Sequence, residues 1–323
     1  MKICILSSPT GDGTDPLGYD LAPYFDGYDW EHKVLDPDNV EEEVKELMAS
    51  GVEVFVNLTA GSPDDWLYDL PNILISMGAA VTGAFGQFYD PPRAEMKDAA
   101  MKAGVPFPGS VFASNQDEVE FASRTLRYPL IVKPPHGWAS MGIRKESRVT
   151  NSADLHKQAS ITFDEFDGVL IEEFIDGHEL TALAVENLDD PKHPFTFQPV
   201  EYLFPPGESF KHVDMKWTNA TLMKPIAVTN QKVNRKLRDY VSRMFVQMKG
   251  NGYARCDFRM NTEGEIFMIE INPSCGVFDD PADPACADSI LLRDPMKHSG
   301  FLKLIIDNAI RHQKNNHKKP KKS

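Results

Sequence analysis

Arg255, Asp257 and Arg259 alternate with Ala254, Cys256, Phe258 and Met260, and a few residues later Glu270 and Asn272 alternate with Phe267, Ile269 and Ile271. A period of two is that of a β-strand. The turn-forming stretch Asn261 to Gly264 joins the two runs into a hairpin, and a loop of two or four residues puts both polar sets on one side. Two carboxylates, an amide oxygen and an arginine then converge on a small area, which is costly unless the acids are neutralised. Two Mg2+ ions held by Asp257, Glu270 and Asn272 would neutralise them with the hard oxygen donors that magnesium takes, and nothing in the set favours zinc. A half-solvated hairpin carrying surface ion pairs is the alternative, and Ile266 and Met268, placed by the same alternation on the polar face, speak for it. The spacing alone leaves both readings open.

Two further segments carry polar groups at the end of an apolar strand. Tyr128 to Val132 delivers Lys133 to a loop of small residues that includes Gly137, Ser140 and Gly142, where backbone N–H groups and an ammonium could close over a polyphosphate. The spacing is not that of a Walker loop, and a plain surface loop with a lysine at its root fits equally well. Val169 to Ile171 runs into Glu172, Glu173, Ile175 and Glu179 around Gly177, as if one segment offered backbone groups to a base edge and a carboxylate to ribose hydroxyls. Taken singly, these acids read as solvated. Cys275 lies beside Gly276 but has no basic partner nearby in sequence, so a nucleophilic role is not expected.

The elements around these segments follow from periodicity. Lys2 to Ser7 and Val52 to Leu58 are strand-like, and Asn39 to Ser50 shows apolar residues at helical spacing, which predicts an open α/β unit over residues 1–104. A helix beginning after Pro91-Pro92 stops at Gly104. Short strands around one or two helices predict an α+β lobe over 105–185. A second lobe, 186–311, contains a long amphipathic helix from Gln231 to Lys249, whose Val233, Leu237, Val241, Met244, Phe245 and Met248 form a core-facing stripe. Residues 312–323 read as a basic, disordered tail, with a localisation signal or anion contact as the alternative.

Composition sets the outer limits. The chain has 323 residues, 41% hydrophobic, with a net charge of −14; the last 13 residues hold six basic side chains and no acid, leaving −20 on residues 1–310. Such a body repels nucleic acid. No apolar run is long enough for a membrane helix or a signal peptide, and four cysteines without zinc or disulfide spacing fit a reducing compartment, so a cytoplasmic protein is expected.

Taken in order, the VKP-type strand with its Ser-x-Gly loop, the LIEEFIxGxE strand, the lysine of Asp214-Met215-Lys216-Trp217, the RxD strand and the ExN strand followed by Ser274-Cys275-Gly276 resemble the ATP-grasp superfamily, and within it the D-alanine-D-alanine ligase-like group. The resemblance spans nearly the whole chain and is strongest from Tyr128 to Gly276. It implies an ATP-grasp fold, with an N-terminal open α/β domain followed by two α+β lobes holding ATP between them. It further implies that Lys133, Arg93 and Ser140 hold the ATP phosphates, with Arg93 standing where the family more often has lysine, and that Lys216 reaches them from the other lobe. Glu172, Glu173 and Ile175 would line the adenine and Glu179 the ribose. Asp257, Glu270 and Asn272 would be ligands of two Mg2+ ions, for which Mn2+ is a possible substitute, and Arg255 with the Gly276 N–H would stabilise an oxyanion. A homodimer is plausible by the same resemblance only.

The implied reaction joins a small carboxylate to an amine through an acyl phosphate. The departures lie on the substrate side. The turn Ser7 to Thr14 lacks the Gly-rich, Ser- and Glu-bearing signature of the peptidoglycan ligases, Ala139 and Trp217 stand where those carry serine and tyrosine, and Asp280-Pro281 replaces their Ser-Leu. Ligation without D-alanyl-D-alanine synthesis is therefore expected. Asp279 or Asp280 suits a cationic acceptor or is a solvated loop, and Asp64-Asp65-Trp66 is a substrate contact or an ordinary loop. A small-molecule phosphotransferase and a nucleotide-binding regulator without turnover are the competing functions.

Overall fold

A computed structural model of the chain describes residues 1–8, 18–59, 61, 65–137 and 140–317. The turn from Pro9 to Thr14, Asp64, Trp138, Ala139 and the Lys318 to Lys322 cluster lie outside the described residues.

The N-terminal unit is the open α/β layout expected. Strands β1 (Lys2–Leu6), β2 (Asp29–Lys33) and, after helix α1 (Val40–Ala49), β3 (Val54–Asn57) form a parallel sheet in the order β2-β1-β3. Helix α2 (Leu70–Ser76) follows, and then α3 (Arg93–Ala103), which Gly104 ends in the left-handed conformation at φ 63° while Val105 N–H closes on Ala100 O at 2.8 Å. Although α3 falls in the first 104 residues, its Met96, Ala99 and Ala100 are buried in the core beneath the largest sheet.

The smaller lobe is an antiparallel sheet of β4 (Ser110–Ala113), β5 (Leu130–Lys133), β6 (Arg148–Val149) and β7 (Val169–Glu173), ordered β4-β7-β5-β6 and backed by α4 (Gln116–Thr125) and α5 (Ser152–Glu165). The next strand, β8 (His178–Val185), does not join it. It enters a six-stranded sheet with β9 (Phe195–Thr196), β10 (Val200–Leu203), β11 (Lys224–Ala227), β12 (Tyr253–Met260) and β13 (Ile266–Pro273), ordered β11-β10-β8-β12-β13 with β9 on β8. The sheets therefore part between β7 and β8, not at residue 185. The Gly177 turn makes that crossing, and a Cβ there would lie 2.1 Å from Met260 O, so only glycine fits.

Helix α6 (Val213–Trp217) lies beside the sheet, and α7 (Gln231–Gln247) covers one face through Leu237, Tyr240, Val241, Met244 and Phe245, the expected stripe plus a tyrosine. On the other face, α8 (Cys286–Leu291) and α9 (Lys297–His317) share a core with Ile3, Ile5, Val54 and Val56 of the first sheet. Residues 312–317 are thus the last turns of α9 rather than tail: His312 Nε2 lies 2.6 Å from Glu186 and Gln313 donates to Gly78 O at 2.8 Å. No helix among the described residues is long and apolar enough to cross a membrane.

Candidate functional site

The β12–β13 hairpin pairs Arg255 with Asn272 and Asp257 with Glu270, so the four polar residues do share one face. The register then shifts, and Phe258 pairs with Met268 rather than with Ile269. That bulge corrects the expectation for Ile266 and Met268: both are buried with Cys256 and Phe258 under α7, and Ile269 takes the cleft side instead. The main support for a half-solvated hairpin is thereby removed.

A cavity of about 650 Å3 lies between the hairpin face and the smaller sheet. Arg93, Lys133, Ser140, Glu172, Glu173 and Ile175 line it from the side of α3 and the smaller sheet, and Glu179 on β8 lines it with Lys216, Arg255, Asp257, Glu270 and Gly276 from the other. Asn272 does not reach its surface and sits behind the two acids, with Nδ2 donating to Asp257 Oδ2 at 3.1 Å and Glu270 Oε1 at 3.4 Å. As an oxygen ligand it would need the opposite amide orientation.

Charges in the cleft are paired in a definite pattern. Glu172, 2% exposed, bridges Lys133 and Lys97. Burial raises the Glu172 pKa, but the two ammonium groups outweigh it and hold the carboxyl at about 2; burial likewise pulls Lys133 down against the attraction of Glu172. Arg93 Nη1 donates to Glu270 at 3.1 Å, and Arg255 forks onto Asp257 at 2.9 and 2.7 Å. Burial opposes the Asp257 charge, yet Arg255 keeps its pKa down at about 2.

Glu179 is held by Lys211 at 3.2 Å and Arg259 at 3.1 Å, and Arg259 also donates to Ile175 O at 2.6 Å. Glu173 is gripped by Arg127 at 2.9 Å and its N–H is given to Gly109 O at 2.8 Å. Ser140 Oγ donates to Lys211 O at 2.9 Å, which ties Ser140 to the larger lobe.

Lys216 differs from the other cations. Its ammonium has no ion pair with any described residue and lies 5.7 Å from the Trp217 ring centroid, while burial, with Arg255 nearby, lowers its pKa. An unpaired, partly desolvated cation facing a cleft is what an anionic ligand satisfies. Gly276 has room for a Cβ, the nearest atoms being Asp279 Oδ2 at 3.7 Å and Ala285 Cβ at 3.8 Å, so glycine there keeps the cleft wall open rather than relieving a clash within the protein.

Lys97, Lys211 and the clamp role of Arg259 were not foreseen from sequence. Lys97 carried a signal, since it lies four residues after Arg93 on one helix face; Lys211 sits in an irregular stretch with no periodicity to mark it. Cys275 is buried, and burial pushes its thiol up to about 12, which suits a packed residue and not a nucleophile. Asp65 caps the short helix at Trp66–Tyr68 by accepting from Leu67 N–H at 3.0 Å, a structural task.

Among the described residues, no group of three or more His, Cys, Asp and Glu side chains is placed to hold a metal ion. The donor set on the hairpin is two carboxylates and one amide. Such a set fits Mg2+, which is bound through one or two carboxylates plus substrate phosphates rather than in an all-protein cage.

The family description "D-ala D-ala ligase C-terminus" matches residues 105–282. Curated relatives include a D-alanine–D-alanine ligase of Enterococcus faecalis, 27% identical over 64% of this chain and 56% of its own length. Another, from Bordetella petrii, is 26% identical over 78% of this chain and 76% of its own length. The chain thus spans about half to three-quarters of the curated relatives it matches. Among solved structures, the D-alanine–D-alanine ligase of Bacillus anthracis complexed with ATP superposes with a TM-score of 0.70 at 16% identity, covering 98% of this chain and 99% of that one. The ligase of Coxiella burnetii gives 0.69, also at 16% identity and covering 98% of this chain and 96% of that one. At such identities the superposition carries the fold, and with more than half of its length matched by the family description, the chain belongs to the D-alanine–D-alanine ligase family of ATP-grasp proteins.

Proposed function

We propose that the protein is an ATP-dependent carboxylate–amine ligase that joins two small, amino-acid-like substrates through an acyl phosphate, and that its product is not D-alanyl-D-alanine. The observation carrying this reading is the cleft itself. Arg255, Asp257 and Glu270 on one hairpin, with the unpaired Lys216 beside them, face Lys133 across a cavity of about 650 Å3, large enough for a nucleotide and a small acid.

In the first step a carboxylate oxygen attacks the γ-phosphorus, the bond to ADP breaks, and ADP leaves with the electron pair. Lys133, Arg93 and Lys216 hold the phosphates. In the second, the amine attacks the acyl carbon, an oxyanion forms against Arg255 and the Gly276 N–H, and it collapses with loss of phosphate and of the amine proton. Asp257 and Glu270, with Asn272 behind them, would hold Mg2+, which when bound offsets the phosphate charge. Glu172, Glu173, Ile175 and Glu179 border the region given to the base and ribose. Loss of the specific D-alanine product is supported by Trp217 and Asp280-Pro281, which replace residues typical of the peptidoglycan enzymes.

The test is Mg2+-dependent ADP release across pools of amino acids and amines, with mass spectrometry of active pools. A product equal in mass to both substrates less one water is expected. ADP release without an amine, accompanied by a stable phosphorylated product, would make the protein a phosphotransferase instead. Lys133→Ala is expected to weaken ATP binding about tenfold or more, the loss of a charged hydrogen bond, in calorimetric titration. Unchanged affinity would move the phosphate site away from β5.

A further inference from the structure

Two carboxylates that line the cleft, Asp279 and Asp283, have no partner among the described residues, and of these Asp279 is the partly buried one. The Asp279 side chain lines the cavity, lies 3.7 Å from the Cβ position of Gly276, and accepts no hydrogen bond or ion pair from any described residue. Its backbone, by contrast, is held firmly. Tyr24 Oη donates to Asp279 O at 2.6 Å, Asp279 N–H donates to Asp288 at 3.2 Å, and the fully buried Asp288 also takes the N–H groups of Phe278 at 2.8 Å and Ala285 at 3.1 Å. Asp288 carries His298 as well, at 2.9 Å. The side chain is therefore displayed on a fixed loop at the Gly276 end of the cleft. Asp283, exposed on the same loop, lines the cavity too. Apart from Asp283, the other cleft carboxylates, Glu172, Glu173, Glu179, Asp257 and Glu270, are each matched by a lysine or arginine. Burial, with Asp288 and Asp283 close by, lifts the Asp279 carboxyl to about 6, a cost that a cation placed beside it would remove.

We propose that Asp279 selects the amine substrate, which carries a second cationic group at the end facing Asp279 and no carboxylate there. The inference rests on the ligase reading. An amine bearing a carboxylate at that end would place like charges together, which discriminates strongly against it. A diamine would put one nitrogen at the acyl carbon and the other, as an ammonium, at Asp279.

The experiment uses the full chain with Mg2+, ATP and carboxylate pools. Hydroxylamine first traps any acyl phosphate as a hydroxamate, a readout that needs no natural acceptor. Three acceptors of similar length then compete: 1,3-diaminopropane, n-propylamine and β-alanine. Diaminopropane is expected to exceed propylamine by about tenfold in kcat/KM and β-alanine by more, and Asp279→Asn should cut the diaminopropane-to-propylamine ratio about tenfold. Hydroxamate formation with β-alanine preferred, or with an unaltered ratio in Asp279→Asn, overturns this inference and leaves the ligase standing. Absence of hydroxamate from every pool overturns both. The wild-type ranking stands as a test even if the variant misfolds.

Discussion

Glu270→Gln is expected to lower Mg2+-dependent ADP release at least about a hundredfold while leaving the fold intact. Glu270 is 26% exposed, and its partners are Arg93 at 3.1 Å and the more distant Asn272 amide at 3.4 Å. Glutamine keeps the shape and one acceptor oxygen for Arg93, so the stability change should stay within about 1 kcal/mol, as for a partly exposed ion pair. What is lost is a negative charge opposite Lys133, on the face proposed to hold Mg2+ and the phosphates. Asp257→Asn is the less clean variant, because Asp257 receives the Arg255 guanidinium through two hydrogen bonds and its loss leaves that cation poorly matched in a buried setting. Steady-state ADP release and a urea unfolding curve on Glu270→Gln decide the matter. Activity above about a tenth of wild type with an unchanged midpoint would remove Glu270 from the metal set.

The same hairpin shows how far sequence reasoning reached. Alternation placed Arg255, Asp257, Glu270 and Asn272 on one face correctly because register between them is regular. It failed for Ile266 and Met268 because the bulge beside Phe258 inverts parity, and no local pattern in the sequence records that bulge. The helix Gln231–Gln247 was legible because its stripe is long and strongly periodic. The membership of β8 was not: strand residues look alike whichever sheet they enter, and only the Gly177 crossing decides it. Ion-pair partners were the least visible part of the site. Glu172, which taken singly read as a solvated acid, is buried between Lys97 on α3 and Lys133 on β5, and their approach is a long-range contact.

Glu172→Gln should therefore be among the most destabilising single substitutions in the chain, at about 3–5 kcal/mol, because it strands two cations where one, Lys133, is 5% exposed. Native domains have only about 5–15 kcal/mol of stability, so a large part of the folding free energy is at stake. Lys97→Met should cost far less: Lys97 is 16% exposed, its ammonium lies 4.3 Å from the Phe107 ring centroid where a methionine thioether can also pack, and Glu172 keeps Lys133. The sign of the pH effect follows from the Glu172 carboxyl, held at about 2 against an ordinary 4.5. Its contribution is fully present above about pH 4.5 and is lost as pH falls through about 2, the unfolded chain being the first to take up the proton. Glu172→Gln should flatten this acid limb of the stability curve as well as lower its plateau. Urea unfolding of wild type, Glu172→Gln, Lys133→Met and the double variant closes the cycle. The double variant is expected to be more stable than the sum of the singles predicts, by about 1–3 kcal/mol, since each single change leaves an unmatched charge that the second removes. Strict additivity, with a plateau within about 1 kcal/mol of wild type for Glu172→Gln, would mean that Lys97 and Lys133 do not depend on this carboxylate.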